Sequence, residues 1–261
     1  MADMFPIVRS QRFWSCRLNE LLDLNSYQVE VFMDGCRNAR DVAERVIRFI
    51  EYPFYLGQPD DKHVYNAFHG KWCKTVSLDY WQSATETAAL RIGDCEDSSI
   101  LGVACSLRLG CPAYVVFGYV YDDSSGEILG GHAWYYVKDA RAFGDDEWHY
   151  VESTLDVPPS SYPVVKDITA PFVSGGWRLI PEMLWNDKEY VEVELSWDLQ
   201  LKVAGLLRGK KKSSQLKVSF LDLPGSVKEA RRKYEALASM WRSPVKPLRK
   251  AGKLSKLRWR K

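Results

Sequence analysis

The chain has few of the residues that hold transition metals, and none of the close cysteine pairs that staple small folds. Only four histidines (His63, His69, His132 and His149) occur in 261 residues, and no Cys/His cluster has the local spacing of a structural zinc site. The six cysteines (Cys16, Cys36, Cys73, Cys95, Cys105 and Cys111) include no C-x-x-C pair. A chain of this length buries a core without disulfides, so reduced thiols are expected. No apolar run reaches the roughly 20 residues that a bilayer-spanning helix needs. The opening MADMFPIVRSQRFW has no basic segment followed by an apolar one, so it does not read as a secretory leader. A cytoplasmic location with no membrane partner is the expectation, and association with a particle is the alternative. Internal repeats are also lacking, which excludes a solenoid or propeller.

What is present is a division of charge. The net charge of +2 conceals 17 basic and 31 acidic residues before position 201, net −14, against 19 basic and 3 acidic residues from there on, net +16. In that basic extension RGKKK, ARRK, PLRKAGK and KLRWRK are interleaved with Trp241 and Trp259. Such a segment can bind nucleic-acid phosphates or another acidic partner. It can equally be a solvated tail or fold back on the acidic body. All three readings stay open.

Through about Tyr52, Leu18, Leu21 and Leu22 and then Val42, Val46, Phe49 and Ile50 fall at helical spacing, which predicts two or three helices. From Tyr52 to Ser77 the mixture of Pro, Gly and aromatics has no period and reads as a packed, irregular connection. Ile100, Val103, Ala104 and Leu107 again recur at helical intervals over 97–109, and Gly110 and Pro112 supply the stop. Three strand-like runs follow, AYVVFGYVY (113–121), GHAWYYVKD (131–139) and EWHYVEST (147–154), separated by acidic, Gly-bearing breaks. They predict hairpins and an antiparallel sheet. GWRLIPEML and EYVEVELSW add further structured runs, and the folded body is expected to end near Ala204. The fold class is α+β, in three segments: a helical amino-terminal part (1–60), a core (61–204) and the basic extension (205–261).

Cys95 stands in RIGDCEDSSILG at the amino end of the predicted central helix. Unpaired backbone N–H groups there favour a thiolate, which is a nucleophile's position. The plainer alternative is a small buried residue, as expected for Cys105 and Cys111. His132 in one predicted strand and Glu152 in the next can lie side by side across an antiparallel pair and face that helix. The trio then supplies a thiol, a base and an acid that orients the base. Singly, each is more often a packing or solvent-facing residue. Asp94, Glu96 and Asp97 oppose the helix-end effect, because carboxylates beside a thiol disfavour its anion.

Taken in order, YWQSATET, GDCED, a helix ending L-G-C-P, a hydrophobic strand, GHAW and WHYVEST resemble the transglutaminase-like cysteine proteases and acyltransferases, whose pattern runs G-x-C-x-D, H-A-W and W-x-x-L-D-P-T. The resemblance covers roughly Tyr80 to Asp156. It implies a papain/transglutaminase-like architecture, a helical part packed on an antiparallel sheet with the nucleophile at a helix amino end. Residue by residue, Cys95 matches the nucleophile, His132 the general base and Glu152 the orienting acid, where Glu replaces the usual Asp. Asp156 is the alternative acid. The candidate oxyanion donors are the Cys95 N–H and the Trp81 indole, with the Gln82 amide as the alternative.

The GDCED spelling with Trp81 upstream is most similar to a bacterial branch that includes periplasmic adhesin-cleaving proteases. That likeness implies a calcium ion at Asp94, Glu96 and Asp97, set against purely local roles in which Asp94 caps the helix and Asp97 pairs nearby. The chemistry itself requires no cofactor. The implied function is a thiol hydrolase cutting or transferring amide bonds of a protein or peptide. The alternatives are a non-catalytic structural or binding protein of the same fold with an anion-binding basic tail, such as a particle component, and arylamine or sugar-amide chemistry on the same trio.

Overall fold

The structure is a computed structural model that describes residues 7–11, 14–52, 63–66, 71–74, 81–155, 157–196 and 198–203, with no side chains described at 7–16, 63–66 or 71–74. Asp156 and the basic extension 205–261, both singled out from the sequence, lie outside the described residues.

A β-hairpin opens the chain, β1 (Ile7–Gln11) and β2 (Trp14–Arg17), and leads into a 3₁₀ turn at Leu18–Leu22. Helices α1 (Tyr27–Met33) and α2 (Ala39–Phe49) follow, started by the Ser26 hydroxyl on the Val29 N–H and the Asn38 amide oxygen on the Asp41 N–H. The expected helices are therefore present. The stretch expected to be irregular instead holds a second hairpin, β3 (His63–Asn66) and β4 (Lys71–Lys74). Helix α3 (Ala84–Leu90) starts at a capping box between Ser83 and Glu86, and α4 spans Cys95–Arg108.

The remaining strands are β5 (Ala113–Asp122), β6 (Glu127–Val137), β7 (Trp148–Val151), β8 (Val164–Val165), β9 (Phe172–Ser174), β10 (Trp177–Trp185) and β11 (Tyr190–Glu192), with one helical turn, α5 (Ala140–Phe143), between β6 and β7. They form one antiparallel sheet in the order β11-β10-β5-β6-β7-β8, with β9 also on β10. This is the expected helices-on-antiparallel-sheet arrangement.

Strand alternation builds two cores. Val115, Phe117, Ala133, Tyr135, Val137 and Val151 face the helices, whereas Val116, Val120, Trp134, Tyr136, Tyr150 and Leu179 form a cluster on the other face. Helix α4 lies across β5 and β6 with α2 and α3 against it, and every residue from Cys95 to Ser106 is buried. Because this part of the helix has no solvent-facing stripe, its buried Glu96, Asp97 and serines are polar groups inside the protein rather than on its surface. Val42, Val46 and Ile50 pack into the same core as α4, so the hydrophobic cluster runs continuously from the first helices into the sheet. No helix among the described residues is long and apolar enough to cross a membrane. Of the cysteines whose side chains are described, Cys36, Cys95, Cys105 and Cys111 form no disulfide.

One buried carboxylate ties the helices to the sheet. Asp139, which follows β6, accepts the Ala39 N–H that opens α2 (2.9 Å), the Cys111 thiol (3.2 Å) and the Arg141 Nε–H (2.9 Å). Burial alone would push its pKa up, but these bonds, Arg141's foremost, hold it at about 2. A carboxyl held below its unfolded value stabilises the fold at pH above about 4, and that contribution disappears as pH falls toward 2. The melting temperature, followed from pH 5 to pH 2, is expected to fall more steeply in the wild type than in Asp139→Asn.

Candidate active site

The central helix opens at the residue the sequence singled out. Asp94 is the N-cap of α4, in extended backbone (φ −91°, ψ −152°), and Cys95 is the first helical residue. Gly93 makes that entry possible: a Cβ there would lie 2.6 Å from the Asp97 Cβ and 3.1 Å from the Thr87 Cγ2, so the chain can pass so close to the helix only without a side chain. Asp97 then clamps the entry. Its Oδ1 accepts the Gln82 backbone N–H (2.7 Å), and its Oδ2 accepts the Gln82 Nε2–H (2.5 Å) and the Asp94 N–H (3.3 Å).

The Gln82 side-chain amide also donates to the Ile92 carbonyl (3.1 Å). Its N–H groups are thus engaged with Ile92 and Asp97, which corrects the reading of that amide as an oxyanion donor. Trp81, the other expected donor, is buried and stacked on Trp185 with ring centroids 5.6 Å apart.

His132 and Glu152 come from adjacent strands. The pairing of Tyr136 with Tyr150 and of Tyr135 with Val151 sets the register, so Glu152, one residue past β7, falls diagonally from His132 on the same face. The two side chains meet with His132 Nε2 2.8 Å from Glu152 Oε2, and both residues are buried. Two residues the sequence reading missed complete the carboxylate's shell. Tyr150 donates its hydroxyl to Oε2 (2.8 Å), and Thr154 donates its hydroxyl (2.6 Å) and backbone N–H (3.1 Å) to Oε1. Their signal is the spacing Y-x-E-x-T, which places a hydroxyl two residues to either side of the acid. Burial works to raise the Glu152 pKa, but the charge and hydrogen bond of His132, with the bonds from Thr154 and Tyr150, bring it below the ordinary glutamate value. An ionised Glu152 fixes the proton of a neutral imidazole on Nε2, so Nδ1 is the nitrogen that can take a proton from a thiol.

The Ala133 backbone N–H, next to His132 in the chain, is near enough to the Cys95 thiol to act on its pKa in the lowering direction. That amide is beyond the last β6–β7 pair, Tyr135 with Val151. The thiol itself donates to Glu96 Oε2 (3.2 Å). Ser99 donates to the Cys95 carbonyl (2.6 Å) and pairs with the Ser153 hydroxyl (3.0 Å), which ties α4 to the loop carrying the acid.

The thiol is not the activated anion that the helix-end position led us to expect. Burial first, and then the Asp94 charge, push its pKa well up, outweighing the Ala133 N–H and the Glu96 bond. A helix terminus contributes about 0.3–2 kcal/mol to a nearby charge, less than the several pKa units that full burial can shift.

Comparisons with known proteins identify the segment that holds these residues. Residues 40–153 match the family model of the transglutaminase-like superfamily, and the match contains Cys95, His132 and Glu152. This segment is a transglutaminase-like domain. Solved structures similar to the chain include LapG of Legionella pneumophila, at 16% identity and a TM-score of 0.34, covering 73% of this chain and 83% of that one. The same protein in a calcium-bound form gives 18%, 0.31, 73% and 86%. An arylamine N-acetyltransferase of Nocardia farcinica gives 20% and 0.32, with 60% of this chain covering 51% of that one. No curated protein matches the sequence.

Proposed function

We propose that the transglutaminase-like domain is a thiol hydrolase that cleaves, or transfers, amide bonds of a protein or peptide, with Cys95 as nucleophile, His132 as general base and Glu152 as the acid that orients it. The observation that supports this reading most is the buried Glu152–His132 hydrogen bond, with the Cys95 thiol close enough to feel both Glu152 and the Ala133 amide that follows His132.

With the resting thiol protonated, attack begins when Cys95 leaves Glu96 and gives its proton to His132 Nδ1 as the sulfur bonds to the amide carbon. The oxyanion is met by the Cys95 N–H, one of the helix-start donors without an intrahelical partner, and by the Trp81 indole. His132 then protonates the departing amine as the C–N bond breaks. Water, deprotonated by the same imidazole, or a second amine resolves the thioester.

The test is digestion of a mixture of unfolded proteins, with new termini read by mass spectrometry. The wild type is expected to cut, Cys95→Ala to fall to background and His132→Ala to lose at least ~100-fold. Cutting that persists in Cys95→Ala overturns the proposal.

Calcium belongs to the same reading. Oxygens of Asp94 and Glu96 lie with the Cys95 sulfur inside a 4.8 Å group, all buried, and Asp94 Oδ1 has no hydrogen-bond partner. Carboxylate oxygens fit a hard divalent cation, whereas both Asp97 oxygens are taken by N–H donors, so Asp94 and Glu96 are the residues that would hold the ion. Bound there, calcium would cancel carboxylate charge beside the thiol. Calcium is expected to raise the melting temperature of the wild type and to leave that of Asp94→Asn unchanged. Equal melting curves with calcium and with chelator would remove the ion from the scheme.

A further inference from the structure

The aromatic cluster on the face of the sheet away from the helices reaches both members of the buried acid–base pair. Trp134, two residues after His132 on β6, has its ring centroid 6.1 Å from the imidazole, 6.5 Å from the Tyr150 ring and 6.4 Å from Phe172. Phe172, on β9, closes on Tyr150 at 4.9 Å. Tyr150 is 2% exposed and its backbone is held on both sides, paired with Tyr136 on β6 and donating its N–H to the Pro163 carbonyl (2.9 Å). A tyrosine has only two side-chain torsions, and here both the ring and the chain that carries it are packed, so the hydroxyl has a fixed place.

What that hydroxyl holds is Oε2 of Glu152, the same oxygen that faces His132 Nε2, at 2.8 Å in each case. Both bonds to Oε1 come from Thr154 and leave the carboxylate free to turn about that oxygen. Were the imidazole then the one hold on Oε2, acid and base would swing together, and a group orients another only where its own position is locked by its surroundings. Tyr150 supplies the second fixed point. A phenylalanine would fill the same place in the cluster, and a buried hydroxyl is costly unless it is bonded, so Glu152 accounts for the extra oxygen. Burial first, and then the Glu152 charge, hold the phenol well above its ordinary pKa, which keeps it an O–H donor toward the carboxylate.

We infer that Tyr150 is a positioning residue for the base: it anchors Glu152 Oε2 so that His132 carries its proton on Nε2 and keeps Nδ1 for the thiol. The inference rests on the proposed thiol chemistry. Tyr150 acts through Glu152 on the imidazole and not on the substrate. Tyr136 is the contrasting case. It stands directly opposite Tyr150 in the β6–β7 register, and its ring packs in the same cluster, 6.4 Å from Trp134 and 6.0 Å from Phe172. Its phenol, pushed up first by burial, answers to Trp134 and Asp167.

The experiment records the imidazole nitrogen NMR signals of histidine-labelled protein, assigned with His132→Gln, for the wild type, Tyr150→Phe and Tyr136→Phe. These signals distinguish the two neutral tautomers. Digestion of unfolded proteins is followed on the same preparations, with rates taken per folded molecule from melting curves. The wild type and Tyr136→Phe are expected to show one His132 tautomer, protonated on Nε2, and equal rates. Tyr150→Phe is expected to show both tautomers and to cut about 10–100-fold more slowly, a loss comparable with that of a partner that orients a metal-bound histidine. Tyr150→Phe with a single tautomer or with the wild-type rate overturns the positioning role alone, as does a Tyr136→Phe protein with the same mixed tautomers and lowered rate. So does a wild-type His132 that is not protonated on Nε2, a result that needs no variant to fold. No cutting by the wild type, or cutting that persists in Cys95→Ala, overturns the thiol chemistry and this role with it.

Discussion

Glu152→Gln is expected to lower kcat/KM by about 10²–10⁴-fold while leaving the fold intact, because the substitution preserves shape but misdirects protons. The Glu152 carboxylate receives four hydrogens, two on each oxygen. Gln offers one acceptor oxygen and one NH₂ group. The Thr154 backbone N–H cannot reverse its role, so the amide oxygen is drawn toward Thr154 and the NH₂ is turned toward His132 and Tyr150. The Tyr150 hydroxyl can rotate to accept. The imidazole can only accept on Nε2, which moves its proton to Nδ1, the nitrogen that the proposed chemistry needs as a base toward the Cys95 thiol. Glu152→Asp keeps the charge and should retain more activity than Glu152→Gln, even though it shortens the reach to His132. Melting temperature and the rate of amide cleavage, measured on the same preparations, check the prediction. A Glu152→Gln enzyme at wild-type speed would mean that Glu152 does not set the tautomer.

The parts of this arrangement that were legible in the sequence are those written in local pattern. The start of α4 was marked by helical spacing after Cys95, and the strands β5, β6 and β7 by β-rich runs between Gly-bearing turns. His132 and Glu152 could be assigned to neighbouring strands from the sequence, but the register that sets them diagonally on one face could not, because alternation fixes a face and not a pairing. The β3–β4 hairpin was not legible, since strands of four residues amid Pro, Gly and aromatics have too little periodicity to register. Helix α3 was missed for a related reason: its signal is the Ser83–Glu86 capping box, and its seven residues span less than two full periods. The protonated state of Cys95 was illegible in a deeper sense. Sequence shows the helix end and the neighbouring acids, but the dominant influence, burial, is created only by the fold, and it reverses the expected direction. Gln82 is similar, because only the fold reveals that Asp97 and Ile92 have taken its amide.

Gly118→Ala is expected to cost about 3 kcal/mol, the upper end for overpacking, and to depress activity beyond the fraction unfolded. Gly118 pairs with His132 on one side of β5 and with Pro181 on the other. A Cβ built there would meet the Ile180 carbonyl oxygen at 2.0 Å and the Trp134 ring at 2.9 Å. The oxygen is backbone and cannot rotate aside, so β10 itself must move. It has little freedom to do so, because its register already shifts between Pro181 and Met183, where a proline without an N–H is accommodated in an interior strand. Displacement of β10 or of Trp134 acts directly on the strand pair that presents His132. Gly110→Ala is the control: Gly110 has φ +77° but nothing within 4 Å of its Cβ position, so that variant should lose only the roughly 1–2 kcal/mol of a left-handed backbone and keep its rate per folded molecule. Denaturant midpoints combined with turnover at matched folded fractions separate the two effects. If Gly118→Ala behaves like Gly110→Ala, the close approach of β10 to β5 does not hold the imidazole in place.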